Sequence, residues 1–411
     1  MSAPQRPRLP GGAGARPVWA RIDLGAVRHN VAVLRRACAP AALCAVVKAD
    51  AYGHGAAPVA RAALEAGAAW LAVATVEEGV ELRQAGVEAP VLVLAEPPPA
   101  AMDEVVRRRL TPALYSRAGV AAAGAAAARA GTVLDAHVKV DTGMHRVGAD
   151  PGDLDALVDE LRARPALRLA ALWTHFPVAD GADPGDRVFT EAQLAALRAC
   201  AGRLRSTGAG PALLHAANSA GALAFPDARL DLVRCGIALY GVNPFPVVDG
   251  TLAGVLAATG ADGLRPVLSL RAEITHVRRH GAGARPSYGR LRPLGSPAAV
   301  ATVPLGYADG VPRRFFGAGG AVLVGGRRRP LAGMVTMDQI VLDCGDDGDV
   351  GVGDEVVLIG PQGGDEVSAT EWAGLLGTIP HEVLCGIGKR VPRVVQDSAP
   401  GAEAGAGEEG P

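Results

Sequence analysis

The chain has 411 residues, 49% of them hydrophobic and 20% charged, which is enough apolar content for one large core or two smaller ones. Lys+Arg total 41 and Asp+Glu 42, for a net charge of −1. That balance argues against nucleic acid or an anionic membrane as the main partner, since either calls for a basic excess.

Residues 1–16 are Pro/Gly-rich and predict a disordered tail without the apolar core of a secretory signal. From 17 to 255 short apolar runs alternate with helix-like stretches. The runs lie at 43–48, 70–74, 91–95, 110–114, 133–140, 167–175, 212–217 and 232–239. Helical stretches at 56–66, 76–85, 117–130, 151–163 and 186–206 fall between them. Apolar strands separated by helices indicate a parallel sheet buried on both faces. About eight such units fit an α/β fold of the (β/α)8 TIM-like barrel type. A doubly wound open sheet is the alternative, but no GxGxxG follows the first strand. From 256 to 396 the texture changes to runs such as VLSLRAEITHV, AAVATVPL, AVLVGG, QIVLDCG and DEVVLIG between Gly/Pro turns, with helical periodicity only around 368–377. This predicts a C-terminal, mostly-β domain, with the boundary somewhere in 245–265. Residues 397–411 read as a disordered acidic tail. No apolar run reaches the ~18 residues of a membrane span. The six cysteines show neither CxxC nor zinc-ligand spacing, so reduced thiols, a cytoplasmic location and no metal are expected.

Only three lysines occur, at 48, 139 and 389, in a chain that otherwise uses arginine. A lysine kept in such a chain is a candidate for chemistry that needs an amine able to lose its charge. Lys48 ends the first barrel run in AVVKADAYGHG, at the strand end where barrels carry their active sites. A lysine snorkelling out of the barrel mouth is the competing reading. Tyr52 and the glycines at 53 and 55 add a phenol and bare amides suited to an anion. HVKVDTGMHRVG (137–148) adds Lys139, Asp141 and Arg146, where a buried Lys–Asp brace is the plain alternative. THF supplies His175, HAANSAG supplies Asn218 and Ser219, and VRCGIALYG supplies Arg234, Gly236, Ile237 and Tyr240. Taken alone, the serine before glycine is as readily a helix N-cap, and the histidine a hydrogen-bonded structural residue.

Together and in this order, these blocks resemble the alanine racemase family, the pyridoxal 5'-phosphate (PLP) enzymes built from a barrel and a β-domain. The resemblance spans roughly 17–395. It implies that Lys48 carries PLP as a Schiff base and is one catalytic base. It places the cofactor phosphate with Tyr52, Ser219, Gly236, Ile237 and the Asn218 segment, His175 beside the ring, and Arg234 at the pyridine nitrogen. It makes Arg146 a contact of both cofactor and substrate carboxylate, and Lys139 a possible carbamyl-lysine. Tyr288 in PSYGR matches the second base, delivered from the partner of a homodimer. Tyr307 and Arg313 match the entrance gate, and the Met337 backbone a substrate-carboxylate contact. The family usually has a phosphate-contacting tyrosine where this chain has His381; the resemblance keeps His381 as a cofactor contact, since imidazole can still donate, but the smaller ring puts strict selectivity for alanine in question. His145 stands where many members have a smaller residue, and no role is assigned to it. The implied function is a two-base alanine racemase acting on a small amino acid to supply D-alanine for peptidoglycan. A broader amino-acid racemase is the alternative. A non-catalytic PLP carrier conflicts with the β-domain and with Tyr288.

Overall fold

A computed structural model of the chain describes residues 16–245, 251–258, 263–346 and 348–398. The expected tails at 1–16 and 397–411 therefore lie outside the described residues, except for residues 16, 397 and 398. Two of those three are tied down. Arg16 is forked onto Asp309, and Ser398 Oγ donates to the Asp23 carboxylate at 2.5 Å.

Strand β1 (Val18–Asp23) leads into a helix, Leu24–Cys38. Eight strands follow, most of them separated by helices: β2 (Ala42–Val46), β3 (Trp70–Val73), β4 (Val91–Val93), β5 (Thr111–Leu114), β6 (Leu134–Lys139), β7 (Leu167–Trp173), β8 (Leu213–His215) and β9 (Leu232–Cys235). Each falls within one of the eight apolar runs or differs from it by one residue. All pair in parallel, in the order β8-β7-β6-β5-β4-β3-β2-β9. The two ends meet, because Asp231 N–H donates to Leu214 O at 3.1 Å and Arg234 N–H to Ala217 O at 3.0 Å. This is the (β/α)8 barrel. Its strands read as unbroken apolar runs because neither face of a parallel barrel strand meets water. Residues 26–51 and 55–265 form this compact unit.

The second unit comprises residues up to 25, 52–54 and from 266 onward. Its strands are β10 (Leu268–Glu273), β11 (His276–His280), β12 (Ala298–Val303), β13 (Ala321–Val324), β14 (Arg327–Pro330), β15 (Ile340–Asp343), β16 (Glu355–Gln362), β17 (Asp365–Val367) and β18 (Arg393–Gln396). One sheet runs β14-β13-β16-β10-β1-β18 with β17 on β16, and a second runs β11-β12-β15. One expectation is corrected here. A barrel starting at residue 17 is wrong, because β1 pairs antiparallel with β10 and parallel with β18. The run VLSLRAEITHV spans β10 and the start of β11, because the chain changes sheet between Glu273 and His276. The expected boundary region includes 246–250 and 259–262, which lie outside the described residues; the units divide after Arg265.

One local feature sets up the active-site end of the barrel. After Val47 the chain makes a left-handed turn over Ala49, Asp50, Ala51 and Tyr52, with φ of 52, 53, 54 and 55°. L-residues disfavour this by about 1–2 kcal/mol each, so other contacts must hold it. The Ala49 amide donates to Glu78 Oε1 at 2.6 Å, and Asp50 Oδ1 accepts the Ala56 amide at 2.7 Å. Glu78 also closes a capping box with Thr75, and its Oε2 accepts the Ala74 amide at 2.7 Å. Glu78→Ala should therefore cost about 1–3 kcal/mol of stability, read by urea unfolding, and should weaken cofactor retention. Glu78→Gln should keep most of both, since an amide oxygen still accepts.

Candidate active site

The strand ends of the barrel converge on Arg234 at the end of β9. It is buried, and burial pushes its guanidinium down to about 10, still a cation at neutral pH. Nη2 donates to Thr174 O and Ala216 O, each at 2.9 Å, and lies 3.1 Å from His175 Nδ1. Nη1 donates to His215 Nδ1 at 2.7 Å. Because guanidinium has no acceptor, His215 must present a bare Nδ1 and carry its proton on Nε2. His215 Nε2–H then donates to His137 Nδ1 at 3.1 Å. Burial, with Arg234 adding to it, holds His175 and His215 well below the usual histidine range, so both are neutral. Arg234 also lies over the Trp173 ring, 4.6 Å from its centroid. His137, His215 and Trp173 were not singled out from sequence. Buried histidines on strands carry no pattern that separates them from ordinary core residues.

Lys48 follows β2 and is half-buried. Behind it the Tyr240 hydroxyl donates to Val46 O at 2.9 Å, a brace that gives Tyr240 a structural role. Lys139, at the end of β6, is 3% exposed and sits 4.9 Å from the Trp173 centroid. Burial first, then Arg146 and Arg234, push its amine down to about 8, while Asp141 opposes them. The plain Lys–Asp brace is thus only a minor part of its setting. Lys139's own contribution to stability rises with pH between about 8 and 10.5, where only the unfolded chain keeps its proton. Asp141 instead shapes its own loop, with Oδ1 accepting the amides of Gly143 and His145 at 3.0 Å each. His145 has φ 54°, a backbone position where a residue without Cβ carries less strain. Arg146, next along this loop, is exposed.

At the β8 and β9 ends the N-cap of helix Ser219–Ala224 is Asn218, whose Oδ1 accepts the Gly221 amide at 2.9 Å. Ser219 is therefore free of that duty. Its Oγ accepts the amides of Gly236 at 3.0 Å and Ala238 at 3.4 Å. With both lone pairs engaged, its hydroxyl hydrogen is the group left to offer an anion. The Gly236 amide is spent on Ser219, which leaves the Ile237 amide as the better phosphate donor of that pair.

The remaining residues lie in the second unit. Tyr52 and His381 have ring centroids 5.7 Å apart. Their segment is anchored by Arg393, which donates from Nε to Gly53 O at 2.9 Å and from Nη2 to Ile387 O at 2.6 Å. Tyr307 and Met337 are joined through backbone, Ala308 N–H to Met337 O at 3.1 Å. Their side chains are open, with Tyr307 43% and Met337 52% exposed, and Arg313 is exposed as well. Tyr288 is 70% exposed, and the adjacent Ser287 Oγ donates to Met334 O at 2.6 Å.

The barrel set fits PLP. Four cations, Arg234, Lys139, Arg146 and Lys48, all depress the one imidazole of His175, so the site presents a positive field suited to a phosphate and a phenolate. Lys48 can hold an aldehyde, the Ser219 hydroxyl and Ile237 amide can hold phosphate, and Arg234 retains Nε–H as a ring-nitrogen donor.

Comparison with known proteins agrees. Residues 22–244 match the family described as alanine racemase, N-terminal domain, and 267–395 its C-terminal domain. The chain is 44% identical over 380 residues to an alanine racemase of Symbiobacterium thermophilum, covering 92% of this chain and 97% of that protein. It superposes on the crystal structure of an alanine racemase from Streptomyces lavendulae with a TM-score of 0.84 and 39% identity, covering 94% of this chain and 98% of the other. A histidine racemase from Leuconostoc mesenteroides is also similar, at 27% identity and a TM-score of 0.81, covering 94% and 99%. With this barrel, this β-domain and this cationic strand-end cluster, the chain belongs to the alanine racemase family of PLP-dependent isomerases.

Proposed function

We propose that the chain interconverts L- and D-alanine with two bases on opposite sides of the substrate Cα, Lys48 Nζ from the barrel and Tyr288 Oη from a second copy of the chain. The observation that carries this reading is how Tyr288 is presented. It stands exposed on a short 3-10 turn, Tyr288–Arg290, flanked by Ser287 at φ 64°, Gly289 at 73° and Arg290 at 47°. Strained positions at non-glycine residues cost about 1–3 kcal/mol each and persist only where surrounding contacts enforce them. Here Ser287 Oγ donates to Met334 O at 2.6 Å and Arg285 Nη1 to Arg290 O at 2.9 Å. A large aromatic held outward on a strained, braced turn suits a residue with work to do outside its own unit.

Bound PLP supplies the electron withdrawal that makes the Cα proton of an attached amino acid acidic. The chain does the rest. Lys48 anchors the cofactor, then gives or takes the Cα proton on its face, and Tyr288 does so on the other. Arg146 is the barrel's contact to the substrate carboxylate, while the β-domain offers the Met337 backbone to substrate and Tyr307 and Arg313 to its entrance. Arg234, still cationic at neutral pH, would donate to the pyridine nitrogen of bound cofactor and leave it unprotonated, which would favour return of the proton to Cα. Ser219 and Ile237 are the barrel's donors to the phosphate. Lys139, with an amine near 8, has a neutral fraction available to take up carbon dioxide, and the carbamate would be an anion facing Arg146. The product would feed peptidoglycan synthesis in the cytoplasm. Among the described residues no helix is long and apolar enough to cross a membrane.

A broader substrate range is the second reading, favoured by His381, a smaller ring than tyrosine beside Tyr52. Chiral product analysis over a panel of L-amino acids with PLP present separates the two. Alanine should be racemised fastest. A larger amino acid turned over faster would replace alanine as the substrate, and no racemisation of any would overturn the reading.

A further inference from the structure

Within the second unit the Tyr307 turn is built on one buried carboxylate. Asp309 is 1% exposed. Arg16 forks onto it, Nη1 to Oδ2 at 2.8 Å and Nη2 to Oδ1 at 2.7 Å. The Gly306 amide donates to Oδ2 at 3.0 Å, and Arg390 Nε lies 3.4 Å from Oδ1. Arg16 also donates to Pro304 O at 3.2 Å and Arg390 O at 3.1 Å, while Arg390 Nη2 reaches Asp338 Oδ1 at 2.8 Å. The backbone repeats the pattern. The Tyr307 amide donates to Thr336 O at 3.0 Å, Ala308 to Met337 O at 3.1 Å, and Gly388 to Asp309 O at 2.9 Å. The turn and the 336–338 loop meet so closely that a Cβ on Gly306 would lie 2.2 Å from Thr336 O.

A forked guanidinium–carboxylate pair fixes angle as well as distance. This one is anchored behind the two segments that carry Tyr307 and Met337. Removing the fork would leave a buried carboxylate short of donors, and the turn would shift to find others. We propose that Arg16 and Asp309 are positioning residues for substrate binding, holding the Tyr307–Met337 edge in the place where an amino-acid substrate docks. The proposal rests on reading Tyr307 and Met337 as substrate contacts. Neither Arg16 nor Asp309 touches substrate; both act through the turn.

The test compares Arg16→Gln, Arg16→Lys and Tyr307→Ala in the full-length holoenzyme. Arg16→Gln should raise KM for both alanine enantiomers about tenfold, with kcat within about twofold and cofactor absorbance unchanged. Amide hydrogen exchange across residues 305–311 should speed up. Arg16→Lys, which keeps the charge but loses the fork, should recover part of each effect. In the Tyr307→Ala background, Arg16→Gln should add little further rise in KM. A folded Arg16→Gln chain with unchanged KM, while Tyr307→Ala does raise it, overturns the proposal and leaves the site reading standing. If Tyr307→Ala leaves KM unchanged, the site reading falls and the proposal with it. If cofactor content and kcat fall together with affinity, the pair is a general brace and the proposal is overturned.

Discussion

Lys48→Ala should leave less than about one thousandth of the racemase activity, because it removes both a general base and the covalent anchor of the cofactor. Lys48 is half-buried at the end of β2, and the turn that follows it is left-handed for four residues. No neighbouring amine can take its place. Lys139 is buried at the end of β6, and Lys389 is an exposed residue of the other unit. The check is borohydride reduction of the wild-type holoenzyme followed by peptide mapping. Cofactor mass should appear on the Lys48 peptide alone. Label on the Lys139 or Lys389 peptide would contradict the assignment.

Tyr288→Phe should slow racemisation about 10²–10⁴-fold in both directions, with the ratio of the two kcat/KM values unchanged. That ratio is fixed by the equilibrium between enantiomers, so no variant can damage one direction alone. Solvent exchange of the Cα proton should nonetheless survive for one enantiomer, through Lys48 on the intact face. Mass spectrometry of recovered substrate in deuterated water reads this directly. Exchange retained for both enantiomers would show that Tyr288 is not the base of the second face.

Several features explain what could be seen in advance from sequence. The eight barrel strands were legible because strands buried on both faces appear as short continuous apolar runs between helices. β1 was misassigned for the same reason: VWARID looks like any barrel strand, and only its pairing with β10 and β18 reveals its sheet. β14, read from Arg327 to Pro330, is an arginine-rich edge strand with no apolar alternation to announce it. The left-handed turn at Ala49–Tyr52 contains no glycine before Gly53, so nothing in its composition signals positive φ. Residues to which the resemblance assigns chemistry stood out through their motifs, but those that brace them did not. Glu78 meets the Ala49 amide from 29 positions away, and Arg16 meets Asp309 across 293. Arg16 fell within the stretch expected to be disordered, because Pro/Gly content says nothing about a single long-range ion pair. Gln193, which donates to Thr142 Oγ1 and His175 O at 3.3 Å each, was hidden in an otherwise amphipathic helix.

The central claim is that each reaction uses Lys48 of one chain and Tyr288 of another, and subunit mixing tests it most directly. A Lys48→Ala chain and a Tyr288→Phe chain, each nearly inactive alone, are co-expressed with different tags and the heterodimer is purified through both. If the two bases come from different copies, one of its two sites carries both intact bases and the other carries neither. Activity should then return to about half that of the wild-type dimer per dimer. A verified heterodimer with no more activity than its inactive parents would place both bases on one chain and contradict the account.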